Sequence, residues 1–292
     1  MARKNQLDSC FNTIENYFDL SDFKSFTAYK FNEIINKNRH DWGIPNSKSS
    51  KQVLSYLVNK QVLFENIFLD ALNLSKAIYS WKTHDEFTII AGLKSESYFT
   101  HYSAIYLHQL TLQIPKTIYL NFEHNSTLHS FEQSLLTQKA IDDAFKGSQR
   151  KSSSVYSFSG GKVILTNGMY TNKIGVLKKK NNEQYFEYTD IERTLIDISV
   201  RPVYAGGVFE VLEAFKLAKS NLDAKKMADY LLKMNFIYPY HQVIGFYLEK
   251  ANYSEKDIAY FKKEMKFNFY LTYNIRNKEF SEKWRLYYPK GL

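Results

Sequence analysis

One helix-length stretch of the chain is rich in lysine and amide side chains and has no carboxylate. No Asp or Glu occurs from Trp42 to Phe64. At 100° per residue, Gln52, Ser55 and Asn59 lie opposite the apolar side of a helix, with a lysine and a tyrosine at the edges. Such side chains contact phosphates and base edges in a major groove. The predicted DNA-contacting residues are Lys48, Lys51, Gln52, Ser55, Tyr56, Asn59 and Lys60.

The elements around this stretch follow the order of a winged helix-turn-helix. Apolar residues at helical spacing predict a first helix over 7–18, a second over 28–35 and a third from about Ser49 to Asn59. Val62–Leu69 and Lys76–Lys82 are rich in aromatic and β-branched residues, as the strands of a hairpin are. We therefore predict a DNA-binding domain over residues 1–90. The alternative is a winged helix that contacts only protein, but a solvated face normally mixes charges, so the missing carboxylates favour DNA.

The rest of the chain, residues 91–292, is predicted to form a larger α+β domain with a helical C-terminal part. A helix over His101–Leu110 precedes a strand over Thr117–Phe122, and further short strands follow. From Thr189 onward the pattern is helical, and Thr189-Asp190-Ile191-Glu192 has the spacing of a capping box. The predicted fold class of the whole chain is α+β.

A second basic stretch lies between residues 139 and 180, where lysine and arginine far outnumber Asp142 and Asp143. Three of its lysines are consecutive and are predicted to occupy a hairpin tip, where a charge run is usually only solvated. A secondary nucleic-acid surface is the other interpretation. Its candidate residues are Lys146, Arg150, Lys151, Lys178, Lys179 and Lys180.

No set of residues predicts catalysis, a metal or a cofactor. The seven histidines form no short zinc-ligand pair, and Ser157–Lys162 lacks the spacing of a phosphate-binding loop. Asp190 and Glu192-Arg193 faintly suggest a metal-dependent nuclease, but helix capping explains the two carboxylates. We therefore predict that the protein is not an enzyme.

The composition favours a folded protein with a polyanionic partner. The 292 residues are 44% hydrophobic, with 23 Tyr and 22 Phe, and carry a formal charge of +9. Such a balance favours a polyanionic partner, either nucleic acid or an anionic membrane surface. The single cysteine, Cys10, excludes an internal disulfide. We expect the protein in the cytoplasm, because the sequence has no apolar leader and no apolar run of membrane-spanning length.

Several ordered blocks of sequence resemble the AbiEi family of antitoxins, from about residue 30 to the C-terminus. The blocks are Tyr98–Thr111 with Ile114–Tyr119, Glu192–Asp197 with Arg201–Val211, and Tyr238–Gln242 with Gly245–Lys250. The family motifs carry no established catalytic role. Physically, four of their charged residues suggest an ion-pair lattice that organises helix ends: Glu192, Arg193, Asp197 and Arg201.

The resemblance implies a bacterial antitoxin with an N-terminal winged helix and a C-terminal antitoxin domain. Such a protein represses its own operon by binding operator DNA and counters a co-encoded nucleotidyltransferase toxin without a stable complex, in phage defence by abortive infection. One alternative is a stand-alone winged-helix transcriptional regulator without a toxin. The other is a metal-dependent nuclease.

Overall fold

The computed structural model describes residues 6–124, 136–181 and 183–292 and has a mixed α+β fold, which confirms the predicted fold class. In chain order its helices are α1 Phe11–Leu20, α2 Ala28–Asn38, α3 Ser50–Asn59, α4 Glu86–Ala91, α5 His101–Leu107, α6 Gln138–Lys146, α7 Ile191–Val200, α8 Val208–Ala218, α9 Ala224–Met234, α10 Tyr240–Lys250 and α11 Glu255–Ala259. Its strands are β1 Ser25–Thr27, β2 Leu63–Asp70, β3 Ser75–Trp81, β4 Tyr98–Phe99, β5 Thr117–Glu123, β6 Val155–Phe158, β7 Gly161–Gly168, β8 Val176–Asn181, β9 Gln184–Thr189, β10 Phe269–Tyr270, β11 Lys278–Ser281 and β12 Leu286–Pro289.

The chain forms two compact units that are discontinuous in sequence. The first unit comprises the residues up to Tyr98 together with Ser154–Val163 and Lys178–Glu187. The second comprises Phe99–Ser153, Ile164–Leu177 and Tyr188–Leu292. Two segments from beyond residue 150 therefore belong to the same unit as the N-terminal helices.

In the first unit, three helices precede an antiparallel hairpin. The strands β2 and β3 pair from Leu63 opposite Trp81 to Leu69 opposite Ser75, as the sequence predicts. The short strand β1, between α1 and α2, pairs antiparallel with β3. On the other side, β6 pairs antiparallel with β2.

Aromatic side chains hold these helices against the hairpin. The Phe18 ring of α1 stacks on Phe26 and Trp81, with ring centroids 5.1 and 5.0 Å apart, and on Phe31 at 6.1 Å. All four side chains are buried. A cluster of large rings excludes water well and fixes element positions, because each ring makes many contacts. The core therefore orients α1 and α2 on the hairpin.

In the second unit, α7 to α10 supply most of the core, with Leu195, Phe215 and Tyr247 fully buried. Gly245 of α10 lies against the Trp284 indole, and a Cβ at Gly245 would come within 2.1 Å of that ring. This close approach packs α10 against the segment that precedes β12. The Nε2 group of Gln242 also donates to the Trp284 carbonyl oxygen at 2.7 Å.

The predicted helical C-terminal part contains α7 to α11, but it also ends in strands that the sequence did not predict. After α11, the strands β10, β12 and β11 form a three-stranded sheet in which β12 is central. These strands are only two to four residues long. Such short strands leave no alternating pattern that distinguishes them from loops.

Candidate nucleic-acid interface and a basic cleft

Helix α3 begins at a capping box whose residues the sequence supplies locally. The Ser49 hydroxyl accepts from the Gln52 amide N–H at 3.3 Å, and the Gln52 side-chain oxygen accepts from the Ser49 amide N–H at 2.9 Å. The box satisfies two amide groups that a helix start leaves without an intrahelical partner. Gln52 is thus held at the first turn of the exposed face.

Five of the seven predicted DNA contacts are exposed, and four of these five share one side of α3. The buried side chains Val53 and Leu57 hold the opposite face against the core of the first unit. The α3 face, as we call the exposed side, consists of Lys51, Gln52, Ser55 and Asn59, and none of these four residues is acidic. Lys60 caps the C-terminal end of α3 on the side of Tyr56, where its ammonium lies 3.4 Å from Asp8.

Tyr56, one of the predicted DNA contacts, is buried and cannot face DNA. The side chain is 7% exposed, and its hydroxyl donates to the Asp8 carboxylate at 2.7 Å. Burial and this carboxylate raise the pKa of the Tyr56 hydroxyl. Tyr56 therefore ties α3 to the N-terminal segment instead of facing a ligand.

Lys48 lies in the turn before α3 and is half-buried. The Arg39 guanidinium donates to the backbone carbonyl oxygens of Lys48 and Pro45 at 2.9 and 3.0 Å. These bonds fix the turn between α2 and α3. Arg39 is a positioning residue that the sequence pattern did not reveal, because its partners are backbone atoms.

The tip of the β2–β3 hairpin is apolar. Leu72 and Leu74 are 78% and 63% exposed. The Asp70 carboxylate accepts from both of their amide N–H groups, at 2.8 and 2.9 Å, which fixes the turn. The nearby Lys76 turns away from the tip, since its ammonium donates to the Leu93 carbonyl oxygen at 2.8 Å. This tip therefore offers apolar contacts and no cation.

The predicted secondary basic surface is divided between the two units. Lys178, Lys179 and Lys180 lie within β8 in the first unit and do not form the hairpin tip. Lys180 pairs with Asp22, and Lys178 lies 3.8 Å from Glu187. The other three candidates, Lys146, Arg150 and Lys151, belong to the second unit. There Lys146 pairs with Asp143 at 3.3 Å.

The second unit contains a cleft of about 990 Å³. Five of the charged residues singled out in the sequence line it, whereas Lys146 and Glu192 do not. The lining that bears on its chemistry consists of Thr100, His101, Gln149, Arg150, Lys151, Arg193, Asp197, Arg201, Tyr204, Phe236, Tyr238 and Tyr273. We call this feature the basic cleft.

The predicted pairing of Arg193 with Asp197 is confirmed and forms part of the cleft lining. The Arg193 Nε donates to Asp197 Oδ1 at 2.8 Å, and both residues are at least 90% buried. The Thr100 hydroxyl donates to Asp197 Oδ2 at 2.7 Å. Arg193 also donates to the Ile174 carbonyl oxygen at 2.9 Å. The two charges are therefore compensated within the protein.

Glu192 and Arg201, the other two charged residues of the predicted ion-pair lattice, bond to residues outside it. Glu192 accepts from the Lys226 ammonium at 2.9 Å. Arg201 donates to the Arg150 carbonyl oxygen at 3.1 Å. The capping residue of α7 is Asp190, which accepts from the Arg193 amide N–H at 2.8 Å, so the predicted Thr189–Glu192 capping box is wrong. The cap lies one residue later, which also changes the partner of Glu192.

His101 and His108, seven residues apart in the sequence, do not hydrogen-bond to each other. The His108 Nε2 donates to the Thr189 carbonyl oxygen at 2.7 Å. His101 is 6% exposed, and its Nδ1 has no hydrogen-bond partner among the described residues. Burial lowers the pKa of the His101 imidazole to about 4, so the ring is neutral at pH 7. Its φ is +52°, a left-handed conformation that costs a histidine conformational energy.

The blocks of sequence that resemble AbiEi contribute jointly to the basic cleft. Thr100 and His101 come from the first block, and Arg193 and Asp197 from the second. Arg201 with Tyr204, and Tyr238 with Tyr240, come from blocks further along the chain. Residues about 140 positions apart in sequence, Thr100 and Tyr240, therefore line one concavity.

Comparison with known proteins identifies a similar fold. No protein-family model and no curated protein sequence matches the chain. A crystal structure of the RV2827C protein from Mycobacterium tuberculosis is similar, with a TM-score of 0.54 and 9% sequence identity over 96% of this chain and 91% of that one. At this identity the likeness concerns the fold alone.

The described residues contain neither a membrane-spanning helix nor a cluster of metal ligands. No helix in the ranges 6–124, 136–181 and 183–292 is both long and apolar enough to span a bilayer. Within the same part of the chain, no three residues of the His, Cys, Asp and Glu types lie together as a metal site requires.

Proposed function

We propose that the protein is an operator-binding autorepressor and antitoxin of a type IV toxin–antitoxin operon. It acts in abortive-infection phage defence and counters a co-encoded nucleotidyltransferase toxin without a stable complex. The observation that carries the DNA-binding part is the exposed α3 face, where Lys51, Gln52, Ser55 and Asn59 share one side of a helix that contributes no carboxylate itself. Glu65 of β2 lines the same concavity as Lys51 and Asn59, and its carboxylate accepts from the Tyr79 hydroxyl at 2.7 Å. The Lys51 ammonium attracts phosphate, and the amide side chains of the face are suited to base edges.

The order of elements supports a winged helix in the first unit. Helix α1, strand β1, helices α2 and α3, and the hairpin β2–β3 follow one another, with β1 paired on β3. In that arrangement α3 is the helix that enters the major groove. The hairpin, residues 63–81, is the wing, and its apolar tip with Leu72 and Leu74 contributes van der Waals contacts rather than charge.

The experiment is a mobility-shift titration of the DNA upstream of the gene with the full chain. Lys51→Glu should lower the affinity for this DNA by about tenfold or more, because a carboxylate replaces a cation opposite phosphate. Lys233→Glu is the matched control, since Lys233 is an exposed lysine of α9 in the second unit. Equal affinities of the two variants would contradict DNA binding by α3.

The antitoxin part rests on the resemblance of the sequence blocks and on their meeting in the second unit. We expect the neighbouring reading frame to encode a nucleotidyltransferase whose expression stops growth, and the full chain to restore growth. The Lys51→Glu variant should still restore growth while it fails to repress the promoter, because the change lies in the first unit. Loss of rescue at an unchanged protein level would show that α3 is needed for neutralisation.

A further inference from the structure

The basic cleft has the dimensions of a small-molecule site. Its volume of about 990 Å³ lies at the upper end of the range for pockets that enclose a ligand. All its lining residues belong to the second unit. The cleft therefore shares no residue with the α3 face.

The charges along the cleft select an anion. Arg150, Lys151 and Arg201 line it, and among the described residues none of the three has an ion-pair partner. The acidic residue in the lining, Asp197, is already bound by Arg193 and Thr100. Three uncompensated cations around one concavity raise the local positive potential. Guanidinium groups are suited to phosphate because they bind two of its oxygens at once.

Two buried polar atoms in the lining lack partners. The His101 Nδ1 and the Gln149 Oε1 make no hydrogen bond with any described residue. The Gln149 Nε2 donates to the Val200 carbonyl oxygen at 2.9 Å, which fixes the orientation of the amide. The Gln149 Oε1 therefore needs a donor, such as a hydroxyl or amino group. An unsatisfied buried polar atom is costly, and a ligand that satisfies it recovers that cost.

One part of the lining is aromatic. Phe236, Tyr238 and Tyr273 are half-buried, so part of each ring remains open to a ligand. The Tyr273 ring is supported from below by Phe145, with centroids 4.2 Å apart. Rigid rings of this kind stack on the flat face of a base.

We propose that the basic cleft binds a nucleotide. Arg150, Lys151 and Arg201 hold the phosphate, and the aromatic side chains hold the base. The His101 and Gln149 atoms bond to its hydroxyl or amino groups. This ligand explains the three cations, the aromatic residues and the unpaired polar atoms together, whereas phosphate alone accounts only for the cations.

The test is calorimetric titration of the full chain with four probes: AMP, GMP, ribose 5-phosphate and inorganic phosphate. At least one of the two nucleotides should bind. Ribose 5-phosphate and inorganic phosphate should bind at least about tenfold more weakly than that nucleotide, because they lack the base. Arg150→Gln should weaken nucleotide binding by about tenfold. Arg276→Gln should leave it unchanged, since Arg276 is exposed in the same unit and outside the cleft.

Three results would overturn the proposal. The first is the absence of binding by both nucleotides at millimolar concentration, including the case in which only an oligonucleotide binds. The second is equal affinity for nucleotide and inorganic phosphate, which would leave the aromatic residues without a role. The third is an equal response of the Arg150 and Arg276 variants, which would place the nucleotide elsewhere. None of these results bears on DNA binding by α3, so the two proposals fail separately.

Discussion

The α3 face and the basic cleft are both cationic, but they present their charges in different ways. On the α3 face, Lys51 and its neighbours are exposed, and Gln52 is held by a capping box at the helix start. In the cleft, Arg150 and Arg201 line a concavity beside a buried ion pair and a neutral histidine. An open helix surface suits a long polyanion, whereas a concavity suits a small one. Net charge alone does not distinguish the two, because the surroundings of each cation decide its ligand.

The largest expected effect comes from breaking the buried ion pair of the cleft. Arg193→Ala removes the partner of Asp197 in a site where both residues are at least 90% buried. We expect the free energy of unfolding to fall by about 3–5 kcal/mol, because an unpaired buried carboxylate is strongly destabilising. Chemical denaturation of the full chain measures this change.

Lys216→Ala is the control for that experiment. Lys216 pairs with Glu213 at 2.7 Å, but both side chains are largely exposed. Solvent screens such a pair, so its loss should leave the denaturation midpoint nearly unchanged. A similar loss of stability in both variants would show that burial does not make the Arg193–Asp197 pair more important for stability than an exposed pair.

The pH dependence of stability provides the next test. Burial holds the pKa of His101 at about 4, below its usual value near 6.5, so the unfolded chain binds the proton more readily. The contribution of His101 to stability is therefore fully present above pH 6.5 and is lost as the pH falls toward 4. Over this window it amounts to at most about 3 kcal/mol.

His101→Asn removes this titration and keeps a residue that tolerates positive φ. The slope of unfolding free energy against pH should become shallower between pH 6.5 and 4. His108 and His241, whose pKa values burial also lowers, remain in both proteins and supply the residual slope. An unchanged slope would mean that folding does not lower the pKa of His101.

The smallest expected change affects the α3 face. Gln52→Ala removes an amide that is suited to a base edge, together with half of the capping box at the start of α3. It should cost about 1–3 kcal/mol of discrimination between operator and scrambled DNA, since loss of the cap affects both DNAs alike. Competition between the two DNAs in a mobility-shift assay measures this preference. Ser47→Ala alters a polar residue in the turn before α3, outside its exposed face, and should leave the preference unchanged. If Gln52→Ala weakens both DNAs equally, Gln52 contributes to affinity and not to sequence preference.

The N-terminal elements could be predicted from sequence because their apolar residues repeat at helical or alternating spacing. Tyr56 was misplaced because its projected position lies at the edge of α3, where only the distant Asp8 decides its direction. The start of α7 was displaced by one residue because Thr189 and Asp190 are both good capping residues. Local patterns do not contain such tertiary partners.

The basic cleft could not be predicted from the same patterns. Its lining comes from separate segments, such as those around His101, Arg150 and Tyr238, and only the fold brings them together. The blocks that resemble AbiEi contained several of these residues but did not indicate a shared cavity. The neutral state of His101 likewise follows from burial, which spacing along the chain does not reveal.

The most direct test of the account measures DNA and nucleotide binding on the same two variants. Lys51→Glu should lose affinity for the upstream DNA and keep the wild-type dissociation constant for the nucleotide. Arg150→Gln should keep the DNA affinity and bind the nucleotide about tenfold more weakly. If either variant weakens both ligands to the same extent, the α3 face and the basic cleft do not have separate ligands, and the account is contradicted.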